Sequence, residues 1–115
     1  MVVVAVLPDR SLEQRQAALK RANARRCERA SLKRHAKILG REEGSMLIAE
    51  HLEAPPEWLA SMKVYELLKA VPGWGERHVR EALRREQVSP VKTVAGLSPR
   101  QRRALVFAVE AWSRR

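Results

Sequence analysis

The sequence predicts an all-α protein, in which a long basic N-terminal helix joins a compact helical module. Three observations carry that expectation. Helix-forming residues run from Leu12 to Leu39 without a glycine or proline. From Met62 onward apolar residues recur at helical spacing, as in Val64, Leu67, Leu68 and Val71. No stretch alternates apolar and polar residues cleanly enough to make a strand.

The first residues, MVVVAVL, are apolar. They are too few to span a bilayer and lack the basic start and small-residue cleavage site of a secretion signal. They read as a strand-like or frayed segment ended by Pro8-Asp9. Ser11 with Gln14 three residues later makes a capping-box pattern, so a helix is expected from about Leu12 to Leu39. Gly44-Ser45 then precedes MLIAEHLE, a short buried helix with Met46, Leu47, Ile48 and Leu52 as its apolar residues. Ala54-Pro55-Pro56 ends it, and the segment before Met62 is the expected hinge between arm and module. Pro72 stops the helix that begins near Met62. A further helix from about Glu76 to Glu86 should bury Val79, Ala82 and Leu83. QVSPVKTVAGL, residues 87–97, is a connector with apolar pegs at Val88, Val91, Val94 and Leu97. Ser98-Pro99 starts the last helix, which should turn Leu105, Val106, Val109 and Trp112 inward. The chain therefore divides into an apolar segment (1–10), a basic helical arm (11–40) and a helical core (41–115).

Charge narrows the function. The 115 residues carry a formal net charge of +10. Nine basic residues and two acidic ones fall between Leu12 and Leu39, so one helix holds most of the excess. Solvated charged helices usually mix signs to gain i,i+4 pairs, and this one does not. Its few large apolar residues, Leu12, Leu19, Leu32, Ile38 and Leu39, cannot cover a broad face, so part of it should project. A phosphate-facing surface accounts for both features. The lone cysteine, Cys27, excludes an intramolecular disulfide.

The most informative stretch is VPGWGERHVREALR, residues 71–84. Helix, Pro72-Gly73-Trp74-Gly75, helix is a tight hairpin. Its glycines let a foreign backbone approach, and the next helix begins there with unpaired amides and a positive dipole end. Such a turn holds anions. Trp74 should fold back as the peg of the turn, and Arg77 and Arg80 should flank a phosphate.

Three ordered stretches then resemble the actinobacterial type of integration host factor, a helix-two-turns-helix DNA-binding family. EQRQAALKRANARRCERASLKR, residues 13–34, looks like that family's alanine- and arginine-rich first helix. SMKVYELLKAVPGWG, residues 61–75, resembles its M-K-V-x-x-L-L-x-x-x-P-x-V-G segment. AGLSPRQRRAL, residues 95–105, resembles the start of its last helix. The resemblance implies an S13-like helix-two-turns-helix module over about residues 62–113, and a nucleoid-associated protein that shapes or bridges duplex DNA with weak sequence preference. It implies a role in site-specific recombination, with recombination or transcription proteins as further partners.

By position, its DNA contacts map to Arg25, Arg26, Arg29 and Lys33, to Gly73, Gly75, Arg77 and Arg80, and to Lys92 and Thr93. Trp74, Arg100 and Arg102 complete the candidate set. Two departures stand out. Glu76 replaces the lysine usual after the second glycine, and the connector Val91-Lys-Thr-Val-Ala95 has one basic residue where the family is rich in arginine.

No catalytic constellation is visible, and no enzyme activity or cofactor is expected. His35, His51 and His78 are scattered without metal-ligand spacing, and no glycine-rich nucleotide loop follows a strand. The five aromatic residues, Trp58, Tyr65, Trp74, Phe107 and Trp112, mostly sit at core spacing, against a base-stacking platform. A cytoplasmic monomer, with no metal and no membrane contact, is the expectation. Two other readings stay open: an RNA- or ribosome-binding protein of the same module type, and an adaptor for an acidic protein partner.

Overall fold

The computed structural model describes the backbone from Val6 and side chains from Ser11 to the C-terminal Arg115. The strand-like reading of the first residues lies outside the described residues. Four α-helices and one 3₁₀ turn follow in order: α1 (Val6–Glu53), the 3₁₀ turn (Glu57–Leu59), α2 (Val64–Leu68), α3 (Glu76–Arg85) and α4 (Pro99–Ser113). Among the described residues there is no β-strand, and a single antiparallel bridge joins Lys63 to Thr93.

α1 and the corner after it correct three expectations. α1 already runs from Val6, the first described residue, so Pro8 and Ser11 both lie inside it. The helix is interrupted only at Gly40, whose φ of 87° and ψ of −175° leave the helical region. That positive φ suits a residue without Cβ. The expected separate helix at Met46 is thus the second limb of α1, beyond the bend. The third correction concerns 54–60, which is a packed corner and not a hinge: Leu59 is fully buried, and its amide donates to the Pro56 carbonyl at 3.0 Å.

The core is one cluster. Ile48, Ala49 and Leu52 from the second limb meet Val64, Leu67, Leu68 and Val71 from α2 and the turn after it, Val79, Ala82 and Leu83 from α3, and Leu105, Val106 and Val109 from α4. The first limb contributes only Leu32 and Ala36, which anchor it near its C-terminal end. Upstream of Arg29, side chains from Leu12 on are exposed or half-buried, including Leu12 and Leu19. The extents of 69 × 30 × 23 Å and radius of gyration of 18.0 Å record that projection. A compact chain of this length would have a radius near about 13 Å.

The connector is pinned at both ends. The Gln87 amide donates to Arg84 O at 3.0 Å and the Val88 amide to Leu83 O at 2.8 Å, a Schellman end to α3 with Gln87 at φ 56°. Ser98 and Gln101 form a full capping box on α4. Of the four pegs, Val88, Val94 and Leu97 are buried, but Val91 points outward at 67 % exposure. It sits on the turn between Ser89 and Lys92, where no element covers it. Phe107 is exposed to the same extent, on the side of α4 away from the core, although its spacing suggested burial.

Candidate nucleic-acid interface

The hairpin forms because α2 can go no further than Pro72, and α3 starts with Gly75 as its N-cap. No side chain caps α3, so its first amides remain open to an anion. Gly73 adopts φ +90°, and a Cβ there would lie 2.7 Å from Trp112 Cζ2. Trp112 closes the turn from α4 by donating from Nε1 to the Pro72 carbonyl at 2.8 Å. Trp74 is buried and lies flat against His78, with ring centroids 4.5 Å apart and planes inclined 16°. It therefore braces the hairpin from inside, as the peg reading anticipated, and offers little surface to a ligand.

A groove of about 630 Å³ runs beside the turn, lined by Lys33 and Lys37 of α1, by Glu66, Lys69 and Ala70, and by the hairpin from Val71 to Gly75. Of the expected site residues it joins Lys33, Gly73, Trp74 and Gly75. It also recruits two lysines that the sequence reading missed, Lys37 and Lys69. A signal for Lys37 existed: Arg21, Arg25, Arg29, Lys33 and Lys37 recur every four residues, which makes one basic ridge along the helix. Arg77 stands exposed on the first turn of α3, and among the described residues it has no ion-pair partner.

Several candidate cations are engaged elsewhere. Arg29 donates from Nε to Trp58 O at 2.9 Å and from Nη2 to Ser61 Oγ at 2.8 Å, which locks the first limb to the corner. Burial, and then the neighbouring Arg25, lower its pKa, yet arginine stays protonated at neutral pH. Arg102 donates to Leu52 O at 2.7 Å and Val94 O at 2.8 Å, tying α4 to α1 and the connector. Lys33 faces Glu66 at 3.6 Å, and Arg100 faces Glu86 at 3.8 Å. Arg26 is exposed and donates to Asn23 Oδ1 at 2.9 Å.

Lys92 and Thr93 are half-buried in the connector. The Lys92 carbonyl accepts from Val64 N at 2.9 Å, and Thr93 Oγ1 accepts from Gly96 N at 3.2 Å. Arg25, Arg26, Lys92, Thr93, Arg100 and Arg102 do not line the groove.

Arg80 is held by Glu76, one turn earlier, with Nη2 donating to Oε1 at 2.9 Å. Its guanidinium also lies 5.8 Å from the centre of the Tyr65 ring. Hydrogen bonding to Tyr65 first, and then to Glu76, raises the Arg80 pKa. The hydrogen bond from Arg80 first, and then Tyr65, holds the Glu76 carboxyl below its ordinary value of 4.5. Glu76 is therefore ionised at neutral pH. Its contribution to the folded state is present above the ordinary carboxylate range and is lost on acidification through the depressed pKa.

This hairpin, with its open amides, aromatic brace and capped last helix, defines a helix-two-turns-helix module. An S13-like H2TH domain family model matches residues 39–108. The chain is 37 % identical over 100 residues to the integration host factor of Mycolicibacterium smegmatis, covering 87 % of this chain and 92 % of that protein. It matches the integration host factor of Mycobacterium tuberculosis at the same identity and coverage. That of Streptomyces coelicolor is 34 % identical over 95 residues, covering 83 % of this chain and 86 % of that one. The chain belongs to the S13-like H2TH family and, within it, to the family of these integration host factors. Among solved structures it is similar to sIHF bound to an 8-bp palindromic DNA, with a TM-score of 0.63 and 27 % identity over 78 % of this chain and 98 % of that one.

Proposed function

We propose that the protein is an architectural DNA-binding protein that grips duplex DNA through its phosphates. The observation that carries this reading is the groove beside the hairpin, where Lys33, Lys37 and Lys69 line one concave surface with the hairpin backbone as far as Gly75, the N-cap of α3. Cations and backbone amides that converge on one concave surface suit a phosphate chain. The family supports duplex DNA as the ligand, since the similar structure is of sIHF bound to DNA.

The basic ridge of α1 extends this surface. Lys33 and Lys37 belong to both ridge and groove, so Arg21 and Arg25 continue the track toward the projecting limb. Arg77 adds a cation at the α3 terminus. Contacts of this kind position DNA and follow its shape without reading bases, which fits low sequence specificity. Arg29 and Arg102 act here as packing residues.

The test is a mobility shift on random-sequence duplex DNA, with the wild type beside Lys37→Glu/Lys69→Glu. Wild-type binding that falls steeply with salt and is weakened at least tenfold in the variant is the expected result. Binding unchanged in the variant, or a preference for structured RNA in competition, would refute the proposal.

A further inference from the structure

Glu76 places a carboxylate at the open N-terminus of α3, the end of a helix that attracts anions. It is the first residue of α3, at the positive end of the helix dipole, directly after the second glycine of the hairpin. Its carboxylate accepts from Arg80 Nη2 at 2.9 Å. Arg80 also lies over the ring of Tyr65, which is itself packed against the core and so gives the guanidinium a fixed support. Lys69, which lines the phosphate groove, is a further positive neighbour of the Glu76 carboxylate. Both Glu76 and Arg80 are well exposed, with 58 % and 65 % of their side chains accessible, and they line a second depression that begins where the hairpin groove ends, with Arg77 and Arg84.

We infer that Glu76 acts as a built-in phosphate substitute, sequestering Arg80 and setting the affinity of the hairpin for DNA. This rests on the DNA-binding reading above and names the residue that tunes that same site. An arginine whose charge is matched by its own neighbour adds no net positive charge to the interface. To contact a phosphate it must leave the carboxylate, and that carboxylate then stays beside the DNA and repels it. The pair therefore releases no net counterion when DNA binds, and the salt dependence is shallower than the number of arginines suggests. Because the carboxyl stays ionised at neutral pH, competition by phosphates, and not protonation, displaces it.

The connector points the same way. Lys92 is the one basic residue between Val91 and Ala95, and it is half-buried. The connector therefore offers no exposed cation to replace Arg80.

The experiment is a fluorescence-anisotropy titration of random-sequence duplex DNA from about 50 to 200 mM salt. The wild type is compared with Glu76→Gln, Arg80→Gln and the double variant, with helicity checked by circular dichroism. Glu76→Gln should tighten binding by about threefold to tenfold at the lowest salt and steepen the slope of log K against log salt by about 0.9. In the Arg80→Gln background the same change should give a smaller gain, because only the repulsion by the carboxylate is relieved and no arginine is released. Unchanged or weaker binding by Glu76→Gln would overturn the inference. So would an equal gain with and without Arg80, since Glu76 would then act as a bare negative charge.

The two readings fail separately. Wild-type binding that is lost in Lys37→Glu/Lys69→Glu but indifferent to Glu76→Gln leaves the DNA reading standing and removes only this one. Wild-type protein that binds no duplex DNA removes both.

Discussion

The basic limb of α1 and the α2–α3 hairpin module both rely on arginine, but under opposite constraints. Upstream of Arg29 the limb carries its charge on exposed or half-buried side chains and contributes nothing to the core. In the hairpin module four cations are engaged locally. Arg80 holds Glu76, Arg85 faces Glu81 at 3.5 Å, Arg100 faces Glu86, and Arg102 fastens two backbone carbonyls. The limb supplies charge without packing, and the module supplies packing and open amides with part of its charge paired. The cations open to DNA are those without an acidic partner, along the limb and at positions that include Lys37, Lys69 and Arg77.

This contrast can be broken most severely at the hairpin. Gly73→Ala puts a Cβ against Trp112 in a left-handed backbone conformation, so the turn must open or Trp112 must move. A loss of about 3 kcal/mol is expected in urea unfolding, with weaker DNA binding as the hairpin amides shift. Arg102→Ala comes next. It leaves the carbonyls of Leu52 and Val94 without their donor, at a cost of about 2 kcal/mol. The salt dependence of DNA binding by the folded fraction should stay as it was. At the other extreme, Arg15→Gln/Lys20→Gln/Arg21→Gln on the limb should change stability by less than about 0.5 kcal/mol. The same variant should flatten the salt slope by up to about 2.7 if all three cations meet phosphates. A limb variant that unfolds the protein would show that the limb packs more tightly than its exposure indicates.

The two regions also differ in how far they could be read from sequence. The buried face of α3 at Val79, Ala82 and Leu83 and the Ser98 cap were legible because they depend on residues within one or two turns. So was the hairpin, where proline and glycine act locally. The packing roles of Arg29 and Arg102 were not, because their acceptors lie 29 and 50 residues away and are partly backbone carbonyls, which carry no sequence signature. Gly40 was read as a helix end, whereas the chain bends there and resumes the helix, a choice made by packing of Ile48 and Leu52. Val91 and Phe107 show the limit of spacing arguments. An apolar residue at the right interval is buried only if another element arrives to cover it. Lys37 could have been found from the fourfold ridge, but Lys69 joins the site only once the fold brings α2 beside α1.

The most direct measurement compares two double variants that remove the same charge. Lys37→Gln/Arg77→Gln removes two cations that have no ion-pair partner among the described residues. Arg85→Gln/Arg100→Gln removes two that face glutamates. Each would be titrated against random-sequence duplex DNA over a range of salt. If unpaired cations make the interface, the first variant lowers the slope by about 1.8 and the second leaves it near the wild-type value. Equal losses in both would contradict the account and reduce the interface to net charge alone.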